Sequence, residues 1–430
     1  AENVAIGVDA LKDNTTATGN VAVGYKAIEN NHDGSNLTAV GHNALTTSGT
    51  GANNNTAIGA HAMEFSTSAE NCTALGALAL DANTTGGSNT ALGRSCLSDN
   101  TTASNNTGVG YFALKANTTG AANTAVGQES LDANTTGTQN VSVGADSMGS
   151  NTTGDANTSV GFQSLVNNTT ASNNTSVGKG ALFANTTGDS NSAVGANSLD
   201  ANTTGRLNTA FGKDSLGANT TADNNTAIGE GTLAANTTGA SNTALGRASL
   251  NANTTASNNT GIGYFALLSN TTGNQNTSVG SESMEGNTTG SDNSAFGYRA
   301  LEANTTGNRN TAMGRVALGS QNTTDNNTAF GYYALGDNTT GTRNVAVGAL
   351  TLDGCTTSSD NTAVGYQALG GSCTGVDNAA FGSGALVQCS TGAENTAIGS
   401  GSLDALTTGS NNTGLGRMSG TALTGGSDNT

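Results

Sequence analysis

Few side chains in this 430-residue chain titrate, attack or coordinate. The only histidines are His32, His42 and His61, all near the start. Paired with a carboxylate or a cysteine, one of them would be a proton-transfer site. Standing alone, each is a surface histidine. Carboxylates Asp81, Asp132 and Glu302 fall at equivalent points of a repeat described below. Lined along a groove they would suit a polysaccharide or an acid pair; as separate residues they make a solvated face. Cys355, Cys373 and Cys389 lie within one column of each other on successive repeats, so two of them are candidates for a disulfide between neighbours. Cys72 and Cys96 complete the set, and no CxxC pair occurs. Tyr111, Tyr264, Tyr298, Tyr332 and Tyr366, with Tyr25 and Phe162, recur at one point of the repeat. They read as a glycan-stacking or subunit-contact stripe, or as packing over a bend. No GxSxG, HExxH or P-loop phrase is present. No catalytic, cofactor-binding or metal site is therefore expected.

What must position these residues is a repeat. The glycine of "NTAVG" serves as a marker, at Gly7, Gly24, Gly41, Gly59 and then every 17 residues to Gly416. Only the interval Gly41 to Gly59 is 18. Positions are counted from this marker, so that Leu80 is position +4 of the unit begun by Gly76. The unit G-x-x-A-L-x-A-N-T-T-G-x-x-N-T-A-V is too short for helical repeats, which need roughly 33–47 residues. Gly, Asn and Thr are poor helix formers. Two short apolar pieces separated by turn residues predict strand, bend, strand and turn. The expected fold is all-β, a parallel β-solenoid or β-roll of about 25 coils with 17 residues per coil. One repeat domain is expected over 1–430, with irregular coils over 25–75 and a loosened last coil over 417–430, as a fragment of a longer fibre.

Two columns are expected to form the core. One is the Leu, Met or Ile at +4, such as Leu11, Leu45, Met63 and Leu80. The other is the apolar residue just before the marker, such as Val126, Phe211 and Met313. At +7, asparagine is unbroken from Asn83 through Asn304. Asn83, Asn100, Asn117, Asn134, Asn151, Asn168, Asn185 and Asn202 are thus expected to stack as an amide ladder at a turn. The extra residue after Gly41 is expected to bulge between Ser48 and Asn53 without moving the strand register. The phrases "NTT" and "NNT" are also N-glycosylation acceptors, so they read either as glycan sites on a turn face or as plain turn residues.

Net charge is −17, with the acids scattered, which excludes a phosphate-binding face and hence nucleic acid as a partner. No apolar run approaches a membrane span. The absence of proline fits a continuous ladder, since each proline would delete a donor. A larger duplication is visible too. "SNNTGVGYFALKANTTG" from Ser104 returns as "SNNTGIGYFALLSNTTG" from Ser257.

The phrases "NVAIG" at Asn3–Gly7, "NVAVG" at Asn20–Gly24 and "NTAIG" at Asn225–Gly229 resemble the head repeats of trimeric autotransporter adhesins. The longer "NTAVGYQAL" form is similar to shaft repeats of tail fibres and bacterial surface proteins. The resemblance implies an extracellular, cell-surface or virion fibre segment without enzymatic activity or cofactor. It implies self-association, as a trimer or an end-to-end filament, with surface glycans or a host receptor as further partners. The alternatives are an ice-binding solenoid and, behind it, a polysaccharide-binding or polysaccharide-degrading solenoid.

Overall fold

A computed structural model describes residues 2–321 and 323–430, in two compact units, Ala1–Asp214 and Ser215–Thr430. The two units share one construction. Each is a parallel β-solenoid with about 17 residues per turn, about 24 turns in all, and no helix occurs among the described residues.

The marker phrase T-A-V forms a three-residue strand in coil after coil, such as Thr107–Val109 and Thr124–Val126, and two early coils add a second short pair, Asn30–Asn31 with Thr47–Ser48. Thr and Val favour extended backbone, and strands pair in register with their own copies: Thr124 with Thr107, Ala125 with Gly108, Val126 with Val109. The marker glycine ends the strand. Gly110 has φ +142°, and a Cβ there would lie 2.2 Å from the carbonyl oxygen of Gly127 in the next coil. Only glycine fits that approach.

The second apolar piece is not the strand expected from the sequence. Positions +2 and +4 take left-handed backbone, as at Phe112 (φ 60°) and Leu114 (φ 53°). For a residue with a side chain this conformation costs roughly 1–2 kcal/mol. Leu114 is fully buried, which returns roughly 1.5–3 kcal/mol, and its amide bonds to the Ser130 carbonyl at 3.0 Å. One short coil thereby turns its chain sharply and still fills its interior. Another left-handed position is +12, as at Asn105 (φ 63°), whereas the +7 asparagines are not left-handed.

The core also differs from expectation. Leu and Met at +4 are buried, but the apolar residue before the marker points out: Val126 is 37% exposed, Phe211 40% and Met313 39%. The inward residue of the strand is the alanine between, such as Ala91 and Ala125, with no exposure. A strand shows alternate faces, so only one set can face in. The +4 leucine already fills the narrow interior, which leaves room opposite it for Ala, Ser or Gly alone.

The extra residue after Gly41 is absorbed within Gly49–Gly51. Ser48 still pairs with Asn31, Ala52 is buried, and Thr38–Val40 pairs in register with Thr56–Ile58. Leu45 and Met63 remain buried. The last coil keeps the turn pattern, but its +4 position is Gly420 and Leu423 falls at +7.

Candidate functional site

The interior is organised by two columns of amides. At +7, Asn100 donates Nδ2–H to Asn83 Oδ1 (2.8 Å), Asn117 to Asn100 (3.0 Å), Asn134 to Asn117 (2.8 Å) and Asn151 to Asn134 (2.8 Å). Asn168, Asn185 and Asn202 continue the chain at 2.8, 3.1 and 2.9 Å. Every one of these asparagines is fully buried. Each also donates to the carbonyl three residues on, as Asn117 does to Gly120 (2.9 Å).

Sequence reasoning missed the second column, at +13, the Asn of every "NTAVG". From Asn106 to Asn412 its residues are equally buried, and the backbone N–H donates to the side-chain oxygen of the coil before, as Asn123 does to Asn106 (2.9 Å). The side-chain amide reaches the turn carbonyl of the next coil: Asn106 Nδ2 to Gly120 O at 3.0 Å. Thus Gly120 O accepts from both Asn117 and Asn106, one donor for each lone pair. The signal was in the sequence, since this Asn is unbroken from Asn89 to Asn429. Its place beside a strand hid its burial.

Burial sorts the glycosylation acceptors. Asparagines of the "NTT" phrases such as Asn100 and Asn117 have no exposed surface and donate both amide hydrogens, so a glycan there is incompatible with the fold. The first Asn of "NNT", as at Asn105 and Asn258, is exposed.

A third buried set is a hydroxyl zigzag. Ser130 Oγ donates to Ser142 Oγ (2.8 Å), Ser142 to the Ser147 carbonyl (2.7 Å), Ser147 to Ser159 Oγ (2.8 Å) and Ser159 to the Ser164 carbonyl (2.8 Å). It satisfies serines that replace interior alanines.

The cysteines are all buried free thiols, and no disulfide joins Cys355, Cys373 and Cys389. Each thiol instead donates to a carbonyl: Cys355 to Leu369 (3.5 Å), Cys373 to Gly375 (3.5 Å) and Cys389 to Gly392 (3.4 Å). In the Cys373 coil the +7 residue, Ser372, turns outward and Cys373 takes the interior place. Burial pushes the Cys96 thiol up to about 12.

Tyr111 in the first unit, and Tyr264, Tyr298 and Tyr332 in the second, are exposed at +1. Tyr111 stacks on Phe112 and Tyr264 on Phe265, each at 3.9 Å between ring centres. The Arg315 guanidinium lies 5.8 Å from the Tyr298 ring and 5.6 Å from the Tyr332 ring. Tyr366 is exposed in the same column. In the first unit Tyr25 stacks on His42 (5.1 Å), and His61 Nδ1 bonds to Glu64 Oε2 at 2.7 Å.

Asp81 and Asp132 stand three coils apart, about 14 Å at strand spacing, too far to act as a carboxylate pair. Burial pushes both up to about 6. Glu302 lies instead with Glu282 and Glu285, their carboxylate oxygens within 4.8 Å of one another. Arg299 bonds Glu282 at 2.5 Å and approaches Glu302 at 3.5 Å, so the cluster carries its own counter-charge.

No protein-family model and no curated protein matches the sequence. Among the described residues, no helix is long and apolar enough to cross a membrane.

Proposed function

We propose that the chain is a structural segment of an extracellular fibre, an adhesin head or stalk, a cell-surface filament or a tail-fibre shaft, that spaces or attaches what lies at its ends. The carrying observation is the +13 amide column, which repeats one backbone N–H to side-chain oxygen bond along the stack, as from Asn106 to Asn89 and from Asn412 to Asn395 in their respective units. A stack whose coils are interchangeable varies in length at little cost to its fold, each coil adding about 4.8 Å. The duplicated phrase at Ser104 and Ser257 fits selection on length. The segment has no catalytic role and works as a homo-oligomer. The exposed tyrosines, with Arg315 between two of the rings, support glycans as surface partners. Immunogold electron microscopy of intact source cells or particles tests the reading. Gold on surface filaments is expected, and labelling only after permeabilisation would overturn it.

One observation favours ice binding as a second reading: the strand face presents uncharged Thr and apolar side chains at a regular repeat. Growth of faceted ice crystals in the presence of the monomeric chain would select it.

A further inference from the structure

The outward face of the strands has no partner within the chain. In the first unit it runs from Val4–Ile6 to Thr209–Phe211, and in the second from Thr226–Ile228 to Thr413–Leu415. Each three-residue strand places its first and third residues outward, and the third is apolar throughout. Val40, Ile58, Leu75, Val126, Val160 and Phe211 are exposed in the first unit. None of these strands contains Asp, Glu, Lys, Arg or His, although the chain carries a net charge of −17.

We propose that this face is where a second copy of the chain docks, side by side. The proposal rests on the fibre reading and specifies its lateral contact. The opposite, alanine side of the strand is the coil's own interior.

Three observations select a second copy. The first is charge: two copies approach through a strip free of the acids that otherwise repel them. The second is pitch. The apolar tips recur at about 4.8 Å along the stack, and a partner that interdigitates over the whole strip must repeat at the same interval. Another copy does so, and a two-fold arrangement makes the strip self-complementary. The third is area. Thirteen strands of three residues in the first unit cover a strip of about 62 by 10 Å. Two copies then bury about 1,200 Å², the lower end of specific interfaces, from this unit alone. Side-chain size argues against ice as the occupant. The column changes from Val279 to Phe296, Met313 and Phe330, which roughens the lattice repeat that ice requires but suits interlocking.

The test is light scattering of the full 430-residue chain across a concentration series. The wild type is compared with a triple variant, Val126→Glu, Val160→Glu and Val194→Glu, placed two coils apart so that the new charges do not stack. A milder set, Val126→Thr, Val160→Thr and Val194→Thr, keeps shape and strand propensity should the charged set fail to fold. Control substitutions Thr119→Glu, Thr153→Glu and Thr187→Glu sit on exposed turn positions. The proposal expects a wild-type oligomer that the Glu set reduces to monomer. It expects the Thr set to weaken association at least about tenfold, from lost apolar burial, and the controls to leave it unchanged. Association indifferent to both face sets overturns this face and leaves the fibre reading standing, through end-to-end contact. A wild-type monomer at every concentration overturns both, and faceted ice crystals from that monomer would assign the strip to ice.

Discussion

Position +7 behaves differently in two stretches of the molecule. Between Asn83 and Asn202 it is an uninterrupted amide ladder. From residue 321 to residue 406 it reads Gln321, Asn338, Cys355, Cys373 by the local shift, Cys389 and Leu406, all buried. Gln321 still reaches its turn carbonyl, Thr324 O, at 2.7 Å, and Cys389 reaches Gly392 O at 3.4 Å; the Leu406 side chain has no donor to offer. Yet the +13 column passes through this stretch unchanged, with Asn361, Asn378 and Asn395 each bonded to the coil before at 3.0 Å. The +13 asparagine is therefore the constant fastening, and +7 is a second donor that a coil can do without. At Gly120, where +7 is Asn117, the turn carbonyl has two donors, and at Gly409, where +7 is Leu406, it depends on +13 alone.

That difference is open to direct attack. The largest effect is expected from Asn134→Asp. It places a carboxylate at a site with no exposure, against the Asn117 and Gly137 oxygens that now receive hydrogen bonds. A loss of about 4 kcal/mol is expected at pH 7, read as urea denaturation together with lost hydrogen-exchange protection in the coils of Asn117 to Asn151. Next comes Asn395→Ala. It removes the donor at 2.9 Å from Gly409 O, where Leu406 offers no substitute, so a loss of about 3 kcal/mol is expected. The same change at Asn140 leaves Gly154 O its bond from Asn151 at 3.1 Å, and about 2 kcal/mol is expected. Equal losses at the two sites would break the account of +7 as a second donor.

A smaller contrast sharpens it. Asn134→Ala should cost about 3 kcal/mol, since it deletes two donated bonds and the one accepted from Asn151. Cys389→Ala should cost about 1 kcal/mol, a small apolar group with one weak bond. The smallest effect is the pH response of position +5. Asp132 titrates at about 6 in the fold because burial disfavours its charge, with Glu129 and Asp146 adding to the shift, against about 3.9 unfolded. A raised acid pKa makes the carboxylate form the penalised one, so stability falls as pH rises from about 4 to 6 and stays lower above that range. Asp132→Asn should flatten this slope and stabilise the chain at pH 7. The gain is on the order of 1 kcal/mol or less, because half-exposed groups are screened, and denaturation midpoints at pH 4.5 and 7 will measure it.

Several features could be read without coordinates, because a repeat indexes itself. A marker every 17 residues leaves one way to pair strands, each on its own copy, so parallel register, +4 burial and the +7 stack followed from spacing alone. The 18-residue interval had to be absorbed in a turn for the same reason, since a slip would turn the core outward. The facing of the T-A-V strand was not determined that way. Three residues have two possible parities, and hydrophobicity alone chooses Val126 for the interior. The folded coil chooses Ala125, because left-handed backbone at +2 and +4 closes the turn tightly and the +4 leucine occupies the space within. The same tight closure takes the +13 asparagine inside, where its amide meets the turn carbonyl of the next coil. Local pattern thus specified which residues stack on which, while the width of the closed coil, a property of all 17 residues together, decided which of them face inward.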